Sequence, residues 1–172
     1  MRNCGQRGLS SIKRGGSRGL SLIELLVTLV IVSILAAAAL PYAETTMRRE
    51  KELELRRALR DVRDAIDSFN DDWRAGRIAK SADGVSDDGY PRTLHVLVEG
   101  VDSGDAKGSK RRYLRRIPRD PLSGSKQAPE AQWVLRGYQD EVDAIVWGKK
   151  DVYDIRSGSE ATALDGTRYR DW

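Results

Sequence analysis

Glu24 is the residue with the clearest chemical potential, because it is the single ionisable residue in an otherwise apolar run. The run covers residues 20–40, and its other polar residues are Ser21, Thr28 and Ser33. An ionisable side chain inside a membrane helix costs about 2.5–3.5 kcal/mol on insertion scales, and such residues are usually kept for a function. The simpler alternative is that Glu24 lies near the membrane interface and reaches the lipid headgroups.

The apolar run is long enough to cross a membrane as a helix. Its 21 residues span roughly 30 Å at about 1.5 Å per residue, the thickness of a bilayer's hydrocarbon core. Five cations and no acid precede it in residues 1–19. Because positive flanks stay in the cytoplasm, we expect a cytoplasmic N-terminus and a body on the far side of the membrane.

An ordinary secretory signal is the alternative, since a basic segment followed by an apolar stretch is its pattern. The run is longer than the usual apolar region of about 7–15 residues, and its polar residues lie at the front. Residues 36–39 are small enough to form a cleavage site, but no clear mature start follows them.

The spacing of three residues helps to decide between a secretory signal and a membrane helix that stays on the protein. Gly19 precedes an apolar residue, Glu24 is the fifth residue after Gly19, and Pro41 is the twenty-second. This pattern resembles the class III signal of type IV pilins and type II secretion pseudopilins. The resemblance implies that a prepilin peptidase cleaves between Gly19 and Leu20 on the cytoplasmic side and methylates the new N-terminus at Leu20. It also implies that the apolar stretch stays on the mature protein and that Pro41 kinks the helix.

The resemblance also gives Glu24 a role in assembly. In a helical filament of packed N-terminal helices, the Glu24 carboxylate would neutralise the Leu20 amine of a neighbouring subunit. A buried charge left without its partner is costly, so such a pair would set the register of assembly.

A long amphipathic helix is predicted after the apolar run. Apolar residues recur there at steps of 4, 3, 4, 3 and 4, which is typical of a helix with one buried face. The pattern predicts one helix from Leu22 to Trp73, with charged pairs such as Glu52–Arg56 on its exposed face. A coiled coil is the alternative, although the stripe is short for one. The apolar positions are Leu55, Leu59, Val62, Ile66, Phe69 and Trp73.

The remaining residues predict an α+β domain in which this helix packs on a small antiparallel sheet. We expect a short helix over 93–99, a loop over 100–110, and about three strands. The strand candidates are 132–138, 142–147 and 152–157, with a hairpin turn over 148–151 between the last two. The expected organisation is a leader (1–19), a transmembrane and filament-core helix (20–43), an amphipathic helix (44–75) and a periplasmic domain (76–172).

Two further motifs sharpen the resemblance toward the major, G-type pseudopilin of type II secretion systems. The first is Gly89-Tyr90-Pro91 before the short helix, and the second is Tyr113-Leu114-x-x-Ile117-Pro118-x-Asp120-Pro121. Type IV pilins of the common class have a C-terminal cysteine pair, and this chain has no Cys after Leu20. Residues 122–125 read Leu-Ser-Gly-Ser and depart from the tryptophan motif of the family.

Calcium is a cofactor that the resemblance implies, bound in the loop after the second strand. Glu160 and Asp165 are the candidate ligands in the corresponding segment, 157–166, which lacks the family's Ala-Asp-Gly run. Calcium needs about six to eight oxygens. The alternative is an acidic surface loop held by hydrogen bonds and by the packing of Tyr169 and Trp172.

The charge distribution argues against nucleic-acid binding. Residues 1–19 hold 5 of the 30 cations and none of the 26 acids, which leaves 25 cations against 26 acids in the rest of the chain. A body with a net charge of −1 attracts phosphates weakly. One Cys and one His exclude a disulfide framework and a zinc site with several Cys or His ligands, and no nucleophile–base spacing suggests an enzyme.

The sequence therefore favours a non-enzymatic structural subunit of a secretion pseudopilus, anchored once in the inner membrane. The implied partners are other copies of the chain in a helical filament, minor pseudopilins, the inner-membrane assembly platform and prepilin peptidase. A pilin for DNA uptake or adhesion is the alternative, and a membrane-anchored sensor or binding protein is a third interpretation.

Overall fold

The computed structural model describes most of the chain, and its contacts divide it into two compact units, Met1–Ala43 and Glu44–Trp172. The described residues are Gly19, Ser21 and the ranges 22–104, 108–142, 144 and 146–172, without the side chains of 38–41.

Helix α1 runs from Leu22 to Arg74 over 53 residues. The prediction of one helix from Leu22 to Trp73 is confirmed, since the observed end differs by one residue. The backbone is helical at Pro41, but its side chain lies outside the described residues, so the kink stays a prediction.

Gly76 explains where α1 ends. Its φ is 70°, a left-handed conformation that favours glycine. The Gly76 N–H donates to the Trp73 carbonyl at 3.1 Å, and the Arg77 N–H donates to the Asp72 carbonyl at 2.8 Å. These two hydrogen bonds form a Schellman motif, which satisfies carbonyls that the last helical turn would leave unpaired.

The predicted stripe on α1 forms the core of the second unit. Leu55, Val62 and Phe69 are fully buried, and the rest of the stripe is also buried except Trp73, which is half-buried. Burying side chains of this kind is the main favourable contribution to folding. The other buried residues in this core include Ile78, Leu94, Leu97, Ile117, Trp133, Val152, Ile155 and Tyr169.

The remaining elements are short. Helix α2 covers Leu94–Glu99, as predicted from 93–99. Strand β1 (Val101–Asp102) pairs antiparallel with β2 (Lys110–Arg111), so the prediction of a loop over 100–110 is wrong at both ends of that segment; residues 105–107 lie outside the described residues. Strand β3 (Trp133–Arg136) pairs antiparallel with β4 (Asp154–Ser157), with Trp133 opposite Ser157. The described residues also form two 3₁₀ helices, at Pro129–Gln132 and Tyr169–Asp171.

The α+β class is therefore confirmed, but the sheet differs from the prediction. The described part of the chain has two separate two-stranded sheets. None of the described residues of 142–147 lies in a strand, so the strand prediction there and the hairpin turn over 148–151 are wrong; residues 143 and 145 lie outside the described residues. Strand β3 pairs directly with β4 instead. The Asp140 carboxylate instead accepts hydrogen bonds from the N–H groups of Gly137 (2.7 Å) and Gly148 (3.1 Å). These side-chain hydrogen bonds hold Gly137 and Gly148 together without a strand ladder.

A buried carboxylate joins the end of α1 to β2. Asp72 is 4 % exposed and accepts hydrogen bonds from Arg77 (2.6 Å) and from the Tyr113 hydroxyl (2.9 Å). It also forms an ion pair with Arg111. Burial alone would raise the pKa of Asp72, but these donors and cations outweigh it and hold the pKa below its usual range.

Replacing Asp72 by Asn keeps the shape of the side chain and removes its charge. Because the folded-state pKa is lowered, the carboxylate stabilises the fold above about pH 4, and that contribution is lost as pH falls through the lowered value. We expect D72N to reduce the free energy of unfolding by about 2 kcal/mol at pH 7, and by less in acid. Urea unfolding from pH 3 to 7 measures both effects. D61N, an exposed acid on the same helix, is the control, and equal losses for the two variants would contradict the role of Asp72.

Candidate functional site

The first half of α1 presents apolar side chains on every side. Leu22, Ile23 and the other large apolar residues to Leu35 are between 48 % and 81 % exposed. An 18-residue window of this helix has a mean hydropathy of 2.6, and none of the window is buried. Among the described residues, α1 is the one helix that is long and apolar enough to cross a membrane. A surface of this kind needs lipid or other helices around it.

Two of the polar residues in this segment are satisfied by their own helix. The Thr28 hydroxyl donates to the Leu25 carbonyl at 2.9 Å, and the Ser33 hydroxyl donates to the Leu29 carbonyl at 2.8 Å. Such bonds leave no polar group that needs water. Thr28 and Ser33 are therefore compatible with an apolar environment.

Glu24 differs from these two residues. It lies in the first turn of α1, where the positive end of the helix dipole favours a negative charge. Its side chain is exposed and has no hydrogen bond or ion pair to any described residue. The carboxylate is thus available for a charge outside the helix.

Gly19 stands just before the helix, and the fold does not require a glycine there. A Cβ built at Gly19 would meet no atom within 4 Å. The glycine is therefore not explained by packing, which is consistent with a residue read by an enzyme. Leu20, the predicted methylation position, lies outside the described residues.

Residues 14–40 match the family model described as the prokaryotic N-terminal methylation motif. The chain carries a type IV pilin-like prepilin signal. The motif implies processing by prepilin peptidase and pilus-like assembly in general, and with the apolar helix it indicates membrane anchoring. The match includes Gly19, Leu20 and Glu24 and ends before the second unit. No curated protein and no solved structure gives a significant match to the chain.

The two acidic side chains of the candidate calcium loop, Glu160 and Asp165, are not arranged as metal ligands. One oxygen of Asp165 accepts hydrogen bonds from the N–H (2.9 Å) and hydroxyl (2.6 Å) of Thr167. The other oxygen forms an ion pair with Arg56 at 3.3 Å. The Thr167 bonds, with a smaller contribution from Arg56, hold the pKa of Asp165 below its usual range. Glu160 is exposed and has no bonded partner among the described residues.

These residues do not fit a calcium ion. Calcium takes about six to eight oxygens and gains most of its affinity from carboxylates. In the part of the chain that the structure describes, no three His, Cys, Asp or Glu residues are grouped so that they could hold a metal. Asp165 is next to a guanidinium, which would repel the ion. Calcium binding at Glu160 and Asp165 stays a prediction, and the geometry argues against it.

Sequence reasoning missed the contacts between α1 and the C-terminal segment. It predicted a Glu52–Arg56 pair on the exposed helix face, but both side chains bind the segment instead. Glu52 accepts a hydrogen bond from the Leu164 N–H at 2.8 Å, and Arg56 pairs with Asp165. The available signal was the spacing of Arg48, Glu52, Arg56 and Arg63, which follows one edge of the apolar stripe.

We expect cleavage directly after Gly19. Replacing Gly19 by Ala should leave the fold unchanged, because the added methyl group meets open space, and should leave a precursor 19 residues longer if the peptidase reads the glycine. Mass spectrometry of the purified protein measures both the N-terminus and the one methyl group expected on Leu20. The Gly8→Ala variant controls for substitutions elsewhere in the leader. A mature chain that begins anywhere other than Leu20 would contradict the prediction.

Proposed function

We propose that this chain is a structural subunit of a type II secretion pseudopilus, which assembles through α1 to drive export of folded proteins across the outer membrane. The observation that carries the proposal is the prepilin signal at residues 14–40, followed by an apolar helix that presents an unpaired Glu24. Proteins with this signal are generally non-enzymatic structural subunits, which agrees with the expectation that the chain is not an enzyme.

The proposed organisation follows the two halves of α1. Residues 1–19 are a leader removed in the cytoplasm, and residues 20–43 form the membrane and filament-core helix. Residues 44–75 continue this helix into a periplasmic domain over 76–172. The five cations of the leader support this orientation in the inner membrane.

Charge pairing is the proposed basis of assembly. After cleavage, Leu20 carries a free amine about one helical turn from Glu24. In an apolar filament core, a carboxylate and an amine from neighbouring subunits neutralise each other, whereas either charge alone is strongly disfavoured. A subunit that enters in the wrong axial register leaves both charges unpaired. The pair would therefore act on the accuracy of assembly more than on its strength.

The motif around Asp120 is part of the pseudopilin resemblance on which the proposal rests. Asp120 is buried, and its carboxylate accepts hydrogen bonds from the Ser157 hydroxyl (2.6 Å) and the Gly158 N–H (3.2 Å). The Trp133 indole donates to the Pro118 carbonyl at 3.0 Å. The Ile-Pro-x-Asp-Pro motif thus fastens a loop to β3 and β4, and no Cys pair is present to do so.

The Gly89-Tyr90-Pro91 motif is also part of the core. A Cβ at Gly89 would lie 2.3 Å from the Trp73 ring, so only glycine fits against the end of α1. Tyr90 is buried, and the Pro91 carbonyl accepts a hydrogen bond from the Val152 N–H at 2.7 Å. Both motifs that carry the pseudopilin resemblance therefore have structural roles in this domain.

Deletion of the gene, followed by a comparison of extracellular proteins, tests the secretion role. Loss of a set of exported proteins supports the proposal. Unchanged export together with lost DNA uptake or lost surface adhesion would assign the chain to a type IV pilus instead. The proposed partners are further copies of the chain, minor pseudopilins, the inner-membrane assembly platform and prepilin peptidase.

We expect Glu24→Gln to enter the membrane normally and to fail in assembly. The variant keeps the size of the side chain and removes the charge that would pair with a neighbouring Leu20 amine. Filament yield should fall at least tenfold, because every subunit contact would lose its charge pair. Shearing or crosslinking measures filaments, and fractionation measures insertion.

Ser33→Ala is the matched control for Glu24→Gln. It removes a polar group of the same helix whose hydroxyl already bonds to Leu29. Its filament yield should equal that of the wild type. Normal assembly by Glu24→Gln would refute the pairing role.

A further inference from the structure

Three arginines on α1 reach the same C-terminal segment. Arg48, Arg56 and Arg63 are spaced by eight and seven residues, about two helical turns each, so they lie along one side of the helix. Each guanidinium contacts the chain between residues 154 and 172. These three residues are called the arginine clamp below.

Arg48 binds the first part of this segment together with Glu52. The Arg48 guanidinium donates to the Thr162 carbonyl and, at 3.3 Å, to the Tyr169 hydroxyl. The same hydroxyl donates to the Glu52 carboxylate at 2.8 Å. Tyr169 is 1 % exposed, so its hydroxyl depends on these two partners. The charged side chains of Arg48 and Glu52 thus hold the buried Tyr169 by the one polar atom of its side chain.

Arg56 and Arg63 bind the end of the segment. Arg56 pairs with Asp165, and its guanidinium lies 4.1 Å from the centre of the Trp172 ring. Arg63 donates to Asp154 at 2.8 Å, to the Ile155 carbonyl at 3.0 Å and to the Trp172 carbonyl at 2.7 Å. Planar guanidinium groups can donate in several directions and stack on aromatic rings at once, which a lysine cannot do.

These contacts use the kind of atoms that a calcium ion would need. Calcium binds carboxylates and backbone carbonyls. Here the carbonyls of Thr162, Ile155 and Trp172 and the carboxylate of Asp165 already accept hydrogen bonds from the clamp. A cation introduced among them would face the positive charges of the arginines.

We infer that the arginine clamp replaces a metal ion in this chain, so that its C-terminal segment is fastened by guanidinium groups and folds independently of calcium. The positive charge that the pseudopilin resemblance assigns to a bound ion is supplied by side chains of α1. The inference concerns the stability of the second unit. It rests on the pseudopilin resemblance of the proposed function, because only that resemblance implies a calcium ion to be replaced.

The experiment is thermal unfolding of the full chain in detergent micelles, followed by tryptophan fluorescence. All four tryptophans lie at or after Trp73, so the signal reports on the second unit. The probes are millimolar CaCl₂ and, in a separate sample, the chelator EGTA. The wild-type melting temperature should agree within about 1 °C between the two samples, since no binding means no shift.

Arg48→Gln and Arg56→Gln test the clamp itself. Arg48→Gln should lower the melting temperature by about 3–6 °C, because the hydroxyl of the buried Tyr169 loses a charged partner. Arg56→Gln should lower it by about 2–4 °C, since its ion pair with Asp165 is half exposed and its stacking on Trp172 is lost. Arg57→Gln is the matched control, since Arg57 is exposed on the same helix and has no ion pair or hydrogen bond to a described residue. Its melting temperature should stay within about 1–2 °C of the wild type.

Two results would overturn the inference. The first is a wild-type melting temperature that is several degrees higher in CaCl₂ than in EGTA. This result uses the wild type alone, so it does not depend on whether a variant folds. The second is an equal melting temperature for Arg48→Gln, Arg56→Gln and Arg57→Gln, which would mean that the clamp contacts contribute nothing.

Discussion

Burial of one face of α1 is the interaction on which the folded unit depends. In the part of the chain that the structure describes, the two sheets have two strands each, and such ribbons are marginal in water without a surface to pack on. The stripe from Leu55 to Phe69 provides that surface. Strand residues such as Trp133 and Ile155, and helix residues such as Leu97, belong to the same core as the stripe. The helix therefore supplies the surface on which the domain packs, and it also connects the domain to the apolar first half of α1.

Polar contacts act at both ends of this stripe. Asp72 binds β2 and Tyr113 at one end, while Arg48 and Glu52 bind the C-terminal segment at the other. Apolar burial has no direction, whereas these charged hydrogen bonds have strict geometry. Together they fix which surface elements lie over which turn of the helix. Asp72 is buried for this reason, while Arg48 stays exposed and still reaches the buried Tyr169 hydroxyl.

Elements with strong periodicity could be predicted from the sequence. The helix and its buried face follow from apolar residues at steps of 3 and 4, and Gly76 marks the end because only a left-handed residue completes the cap. The strand prediction at 142–147 failed for a physical reason. Its β-branched residues have high strand propensity, but propensity depends on a paired neighbour, and β3 already pairs with β4.

The candidate site could likewise be predicted only where its residues form a local pattern. Gly19 and Glu24 could be found because their spacing is local. The partners of Arg56 could not, since a sequence pattern favours the neighbour Glu52 four residues away over Asp165, which is 109 residues away. Long-range ion pairs follow from the path of the chain, which local charge patterns do not encode.

The connection between β3 and β4 has a consequence for how such domains vary. Residues 137–153 connect β3 to β4, and the register of these two strands is given by the four pairs from Trp133–Ser157 to Arg136–Asp154. Val146 in this connection is 79 % exposed, and the ladder does not depend on it. Loop length changes cost little closure entropy when the ends are held. The exposed positions around Val142 and Val146 can therefore accept an inserted epitope while the helix and the ladder keep their shape, whereas Val152, which is buried in the core and bonds to Pro91, cannot vary freely.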